Sequence, residues 1–94
     1  MSLERALVMA NLPKKGFLEQ DDRAHIFYHF YHDGKKTHIR TQVSHGSKYK
    51  TLGFDLVGQM AKQCKLSTKN FRGLAECNVS HLDYIALLEE AEEI

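Results

Sequence analysis

The chain has no tryptophan, one proline and only two cysteines, and its longest uninterrupted apolar run is a few residues. With no long apolar run, no segment can cross a bilayer as a helix. Residues 1–12 include Glu4, Arg5 and Asn11 and lack the apolar centre of a secretory signal. Cys64 and Cys77 lack the closely spaced pairs of a zinc site, and on predicted helical segments they read as buried structural thiols. There is no internal repeat, low-complexity tract or linker. What remains is a 94-residue chain that is 43% hydrophobic, enough for one domain and one core, expected in the cytoplasm.

Basic residues are missing from the last quarter. Residues 73–94 contain no Lys or Arg and carry Glu76, Asp83, Glu89, Glu90, Glu92 and Glu93, whereas all 13 Lys and Arg lie in residues 1–72. Between Lys35 and Arg72 the only acid is Asp55. A basic body suits a polyanion, and an acidic tail suits solubility or packing on a basic neighbour. The plain alternative is surface charge segregated along a short chain.

Periodicity predicts a first helix capped by Ser2, with Leu3, Ala6, Leu7 and Ala10 on its buried face and Pro13 and Gly16 bounding its exit. A short strand over 16–20 follows, then a turn at Asp21-Asp22-Arg23. A polar loop over 44–51 precedes a second helix over 54–65, with Leu56, Val57, Met60, Ala61 and Cys64 inward. Ser67 or Thr68 opens a third helix that turns Phe71, Leu74 and Ala75 inward. Ser80 and Asp83 form a capping box for the last helix, with Val79 and Tyr84 as its staple and Leu82, Ile85 and Leu88 as its buried stripe.

The clearest signal is a β-hairpin. Residues 24–32, Ala-His-Ile-Phe-Tyr-His-Phe-Tyr-His, are β-branched and aromatic, and Asp33-Gly34 is the dipeptide that a two-residue type I′ turn prefers. Residues 36–43 then alternate again. This turn sets Phe30 opposite Thr37, His29 opposite His38, Tyr28 opposite Ile39, Phe27 opposite Arg40 and His25 opposite Gln42. One face then carries Ile26, Tyr28, Phe30, Thr37, Ile39, Thr41 and Val43, a core. The other carries His25, Phe27, His29, Tyr31, Lys36, His38, Arg40 and Gln42, a positive face rich in histidine and interleaved with rings. His29, His38 and Arg40 are expected to be exposed on it.

Three readings of that face stand side by side. His25, His29 and His38 could bind a transition metal, although no carboxylate or thiolate joins them and a closed structural zinc site needs four ligands. They could be exposed strand positions where an amphipathic ring is tolerated. Or they could do acid–base work on RNA: an imidazole titrates near ~6.5, so it can take the proton of a ribose 2′-hydroxyl. Arg40, Lys36, Lys48 and Lys50 would neutralise charge on the phosphoryl oxygens, and Phe27 and Tyr31 would stack bases.

These residues resemble the HicA family of small toxin ribonucleases, also grouped as YcfA-like. Gly16-Phe17 matches the end of that family's first helix, and residues 24–27 fall where its Gly-Ser-His segment opens the second strand. Asp33-Gly34-Lys35-Lys36 matches the turn, Val43-Ser44-His45 the end of the third strand, Gly46-Ser47-Lys48 the loop, and residues 56–66 the second helix. The resemblance covers residues 3–66. Arg23-Ala24 stands where the family has Gly-Ser, and His45 lacks the family's preceding proline.

The resemblance implies an α+β fold of helix, three-stranded antiparallel sheet and helix, similar to a double-stranded-RNA-binding domain. Residues 1–66 would form that core and residues 67–94 an acidic helical extension packed on it. It implies an endoribonuclease that cleaves messenger RNA without metal or other cofactor, with His25 as catalytic base. RNA contacts would come from Phe27, His29, Lys36, His38, Arg40, His45, Lys48 and Lys50, and a HicB-like antitoxin would be the protein partner. Two alternatives stay open: a non-catalytic RNA-binding or regulatory domain of the same fold, and a protein-interaction module.

Overall fold

Asp33 and Gly34 take φ values of 52° and 75°, both positive as a type I′ turn requires, and the hairpin forms around them. A computed structural model describes residues 3–23, 25–44 and 51–94. The order is β1 (Leu3–Glu4), α1 (Arg5–Asn11), a 3₁₀ turn (Leu12–Lys15), β2 (Phe17–Asp21), β3 (His25–His32), β4 (Lys35–Ser44), β5 (Thr51–Leu52), α2 (Phe54–Gln63), α3 (Thr68–Ala75) and α4 (His81–Glu90). β2, β3 and β4 form an antiparallel three-stranded sheet with β3 central, and β1 pairs with β5. The molecule is therefore α+β.

Next to the turn the register is the one a two-residue loop sets, His32 opposite Lys35 and Tyr31 opposite Lys36, but beyond Tyr31 it slips from the predicted pairs. His29 faces Arg40, not His38; Tyr28 faces Thr41, Phe27 faces Gln42 and His25 faces Ser44. A bulge in β4 causes this. Thr37 donates its hydroxyl to the Phe30 carbonyl at 2.7 Å and accepts from the Ile39 amide at 3.2 Å, satisfying backbone groups the ladder leaves out. The slip is two residues, and side chains alternate with period two, so the faces survive it. Ile26, Tyr28, Phe30, Ile39, Thr41 and Val43 are buried.

The helices cover that face. Tyr84 of α4 packs on Phe17 and Phe30 with ring centroids 5.7 and 4.9 Å away. Val57, Met60, Ala61, Cys64, Phe71, Leu74, Ala75 and Leu88 complete one hydrophobic cluster, so residues from the acidic extension are part of the core. Polar ties reinforce the docking. Asn11 donates to the Ala75 carbonyl and the Lys15 ammonium to the Val79 carbonyl, each at 2.6 Å, and the Tyr84 hydroxyl donates to the Cys64 carbonyl at 2.8 Å. The Ser80–Asp83 capping box forms in both directions, and Ser67 caps α3 through the Asn70 amide.

Gly16 ends the 3₁₀ turn at φ 92°, and a Cβ there would lie 2.8 Å from the Phe30 ring and 2.7 Å from His81 Nε2. Only glycine fits both the left-handed backbone and the contact.

Four local expectations are corrected. Leu3 is buried in β1, opposite Leu52, while Ala6 and Ala10 are exposed. The helical path instead buries Val8, Asn11, Leu12 and Lys15, because α1 starts only after Glu4, whose side chain makes no capping bond, and the path continues past Pro13 as a 3₁₀ turn. Leu82 is 77% exposed, because α4 is anchored through Tyr84 and Leu88. Leu56 is exposed on α2, and Cys77, beyond α3 at φ 66°, is exposed rather than buried.

Candidate nucleic-acid interface

The sheet face opposite the core carries a row of rings along β3. His25 and Phe27 have ring centroids 6.1 Å apart, and so do Phe27 and His29. The Arg40 guanidinium lies 5.9 Å from the Phe27 centroid, close enough for a cation–π contact. Leu18, 57% exposed, borders the row on β2, and Lys36 borders it on β4. This follows from strand alternation: every second residue of the central strand stands on the open face, between the side chains of two neighbouring strands.

That crowding buries His29, which is only 8% exposed. Leu18 and Arg40 are its cross-strand partners, and Phe27 stacks on it. It is thus buried on the open face rather than in the helix-covered core, correcting its expected exposure. Loss of water lowers its pKa from the ordinary imidazole value, and the charges of Lys36 and Arg40 lower it further. Both effects favour the uncharged ring.

His38 is exposed as expected, but the bulge separates it from His29. Its Nε2 lies 3.1 Å from Glu93 Oε1, beyond the end of α4. Among the described residues no three His, Cys, Asp or Glu side chains come together where they could hold a metal ion. The His25–His29–His38 triplet is not assembled.

Two polar hollows run along the outer side of β4 against α2. One, of about 210 Å³, includes half-buried His25 with Gln42, Ser44, Gln59 and Gln63 in its lining. The other, of about 320 Å³, is lined by His38, Arg40, Thr41, Gln42, Gln63 and Lys65. Gln42 and Gln63 line both, so His25 and Arg40 stand at two ends of one polar path. An imidazole in such a hollow can accept a hydroxyl proton while the guanidinium faces an adjacent anion. A larger hollow of about 570 Å³, between Phe54, Lys69 and Val79, has none of these histidines in its lining.

The structure thus brings His25, Phe27, His29, Lys36 and Arg40 to one face and leaves His38 at its edge. His45, Lys48 and Lys50 lie outside the described residues. Gln59, Gln63 and Lys65 were not singled out from sequence. Their polar helical positions read as an ordinary solvated face, and only the packing of α2 beside β4 joins them to the histidine surface.

No protein-family model, curated protein or solved structure matches the chain. Among the described residues no helix is long and apolar enough to cross a membrane.

Proposed function

We propose that this protein binds RNA on the open face of its sheet and cleaves it with His25 as general base. In this reading it is a cytoplasmic toxin ribonuclease of the HicA kind, with a fold like that of a double-stranded-RNA-binding domain and a HicB-like antitoxin as partner. The observation that carries the reading is the row of His25, Phe27 and His29 rings with the Arg40 guanidinium beside it. Bases splayed from a single strand stack on such a row, each worth ~1–3 kcal/mol. The backbone then lies along β4, where His25 and Arg40 share the polar path.

The chemistry follows from those two groups. The His25 imidazole takes the proton of a ribose 2′-hydroxyl. The oxygen attacks the adjacent phosphorus, the bond to the 5′-oxygen breaks, that oxygen takes a proton from water, and a 2′,3′-cyclic phosphate remains. Arg40 offsets charge on the non-bridging oxygens. Metal is not required for this proton transfer.

A second reading has a specific observation behind it. The buried, neutral His29 equips the face for stacking without any chemistry, which suits a non-catalytic RNA-binding domain. His25→Ala separates the two. Loss of a general base costs about 10²–10⁴-fold in rate, so the variant should lose RNA cleavage and growth inhibition while keeping the fold and losing no more RNA affinity than the ~1–3 kcal/mol of one stacked base. Cleavage by the wild type in a chelator, leaving cyclic phosphate ends, supports the enzyme. Tight binding without cleavage by the wild type supports the binding domain, and full activity of His25→Ala removes this residue from the chemistry.

A further inference from the structure

We propose that the hollow at the outer side of β4 is a binding site for a phosphate group, formed by Arg40, Lys65, His38 and the Gln63 amide, and that the acidic chain end competes for it through Glu93.

The first support is the donor inventory. Lys65 and Arg40 have only N–H groups to offer. The Thr41 hydroxyl, on a residue only 2% exposed, donates to Gln63 Oε1 at 2.7 Å. A buried hydroxyl needs its partner, so Gln63 is held with its carbonyl oxygen occupied and its NH₂ free to donate. No carboxylate is among the lining residues. A hollow of donors and cations without an acid is complementary to an oxyanion.

The second support is that one of its lining residues, His38, already holds an anion. Glu93 Oε1 is 3.1 Å from His38 Nε2, although the two residues are 55 positions apart in sequence. The contact is tertiary, made where the acidic end of the chain meets the bulge in β4.

The third is the backbone of Lys65. It has φ 63°, in the left-handed region, just after α2. Its amide bonds to the Lys62 carbonyl at 3.1 Å and the Leu66 amide to the Ala61 carbonyl at 2.9 Å, a helix-ending arrangement in which glycine is the usual residue. A lysine held there against its conformational preference puts a cation at the hollow, and strain of this kind collects at functional positions.

The site deepens the RNA-binding reading and rests on it for the ligand's identity. Because Gln42 and Gln63 also line the hollow at His25, the bound group would be the backbone phosphate next to the one undergoing reaction, with Arg40 between the two. Displacement of Glu93 would accompany RNA binding.

The test is an NMR titration of the full chain with inorganic phosphate and, separately, with a short oligouridylate. Phosphate should shift the Gln63 side-chain NH₂ and the Lys65 amide. Lys65→Gly, which suits the left-handed backbone, should weaken phosphate binding at least about tenfold, as loss of a hydrogen bond to a charged group does. Glu93→Gln should strengthen it severalfold. Absence of phosphate shifts in both wild type and Glu93→Gln overturns the site, and unchanged affinity in Glu93→Gln overturns the competition. Phosphate binding without oligouridylate binding upholds the site and defeats the RNA reading. Oligouridylate binding that leaves Gln63 unshifted and is indifferent to Lys65→Gly does the reverse.

Discussion

Thr37 and Phe30 are joined by a hydrogen bond of 2.7 Å from side-chain hydroxyl to backbone carbonyl, and through it a β-bulge becomes a stable feature of the sheet. The same hydroxyl accepts from the Ile39 amide, so one side chain serves a backbone donor and a backbone acceptor. The bulge moves His38 away from His29 and brings Arg40 beside it.

Thr37→Val keeps the shape and removes the hydroxyl, leaving the Phe30 carbonyl and Ile39 amide without it. The variant should be less stable by about 1–3 kcal/mol. In urea this appears as a lower midpoint with an unchanged slope, and Thr37→Ser should recover most of the loss.

Gly16→Ala puts a methyl group against the Phe30 ring and His81 on a left-handed backbone. The expected cost exceeds ~1 kcal/mol, because the native backbone suits alanine poorly. His81→Ala in the same chain should recover part of it by making room, a coupling that a double-mutant cycle reads directly.

His29 gives the fold a dependence on pH. Its folded pKa lies below the ordinary value, so the unfolded chain binds the proton more readily. Its contribution to stability is complete above about pH 6.5, where the unfolded imidazole is neutral. It is lost as pH falls from there through the lower folded value, because the unfolded state then binds more protons. Urea midpoints measured from pH 7 downward should fall in the wild type and fall less steeply in His29→Leu.

Phe27→Ala should weaken binding to unstructured RNA by ~1–3 kcal/mol, the worth of one stacked base. Arg40→Ala should instead reduce the salt dependence, by roughly 0.7 log units of affinity per log unit of salt if it neutralises one phosphate. Filter binding across a salt series separates the two effects.

The hairpin was legible because its signals are local. Asp33-Gly34 needs only its own backbone to favour the turn, and Ser80 with Asp83 needs only one helical turn to form its box. The two faces were legible because alternation survives an even slip. The slip itself was not, since Thr37 reads like any β-branched strand residue until it meets the Phe30 carbonyl. The buried face of α1 and the 3₁₀ turn was misread because Val8, Asn11, Leu12 and Lys15 mix apolar and polar types, and Asn11 and Lys15 are buried for carbonyls 64 positions away. His29 was expected in water because its face is open; its burial comes from its neighbours' bulk. Of the candidate site, His25, Phe27 and Arg40 could be placed by strand parity, but Gln63 at the end of α2 and Lys65 just beyond it come alongside only through tertiary packing.

The two cysteines supply an internal clock for local opening. Cys77 is exposed, whereas Cys64 is fully buried and burial pushes its thiol pKa well up. A thiol reagent should therefore label the native protein once and rapidly. A second label can arrive only when the structure around Cys64 opens, including the docking of α4 that the Tyr84 hydroxyl makes on the Cys64 carbonyl. The slow phase of labelling thus counts excursions of the acidic helix away from the body, without any engineered probe, and a ligand that holds this helix down would lengthen it.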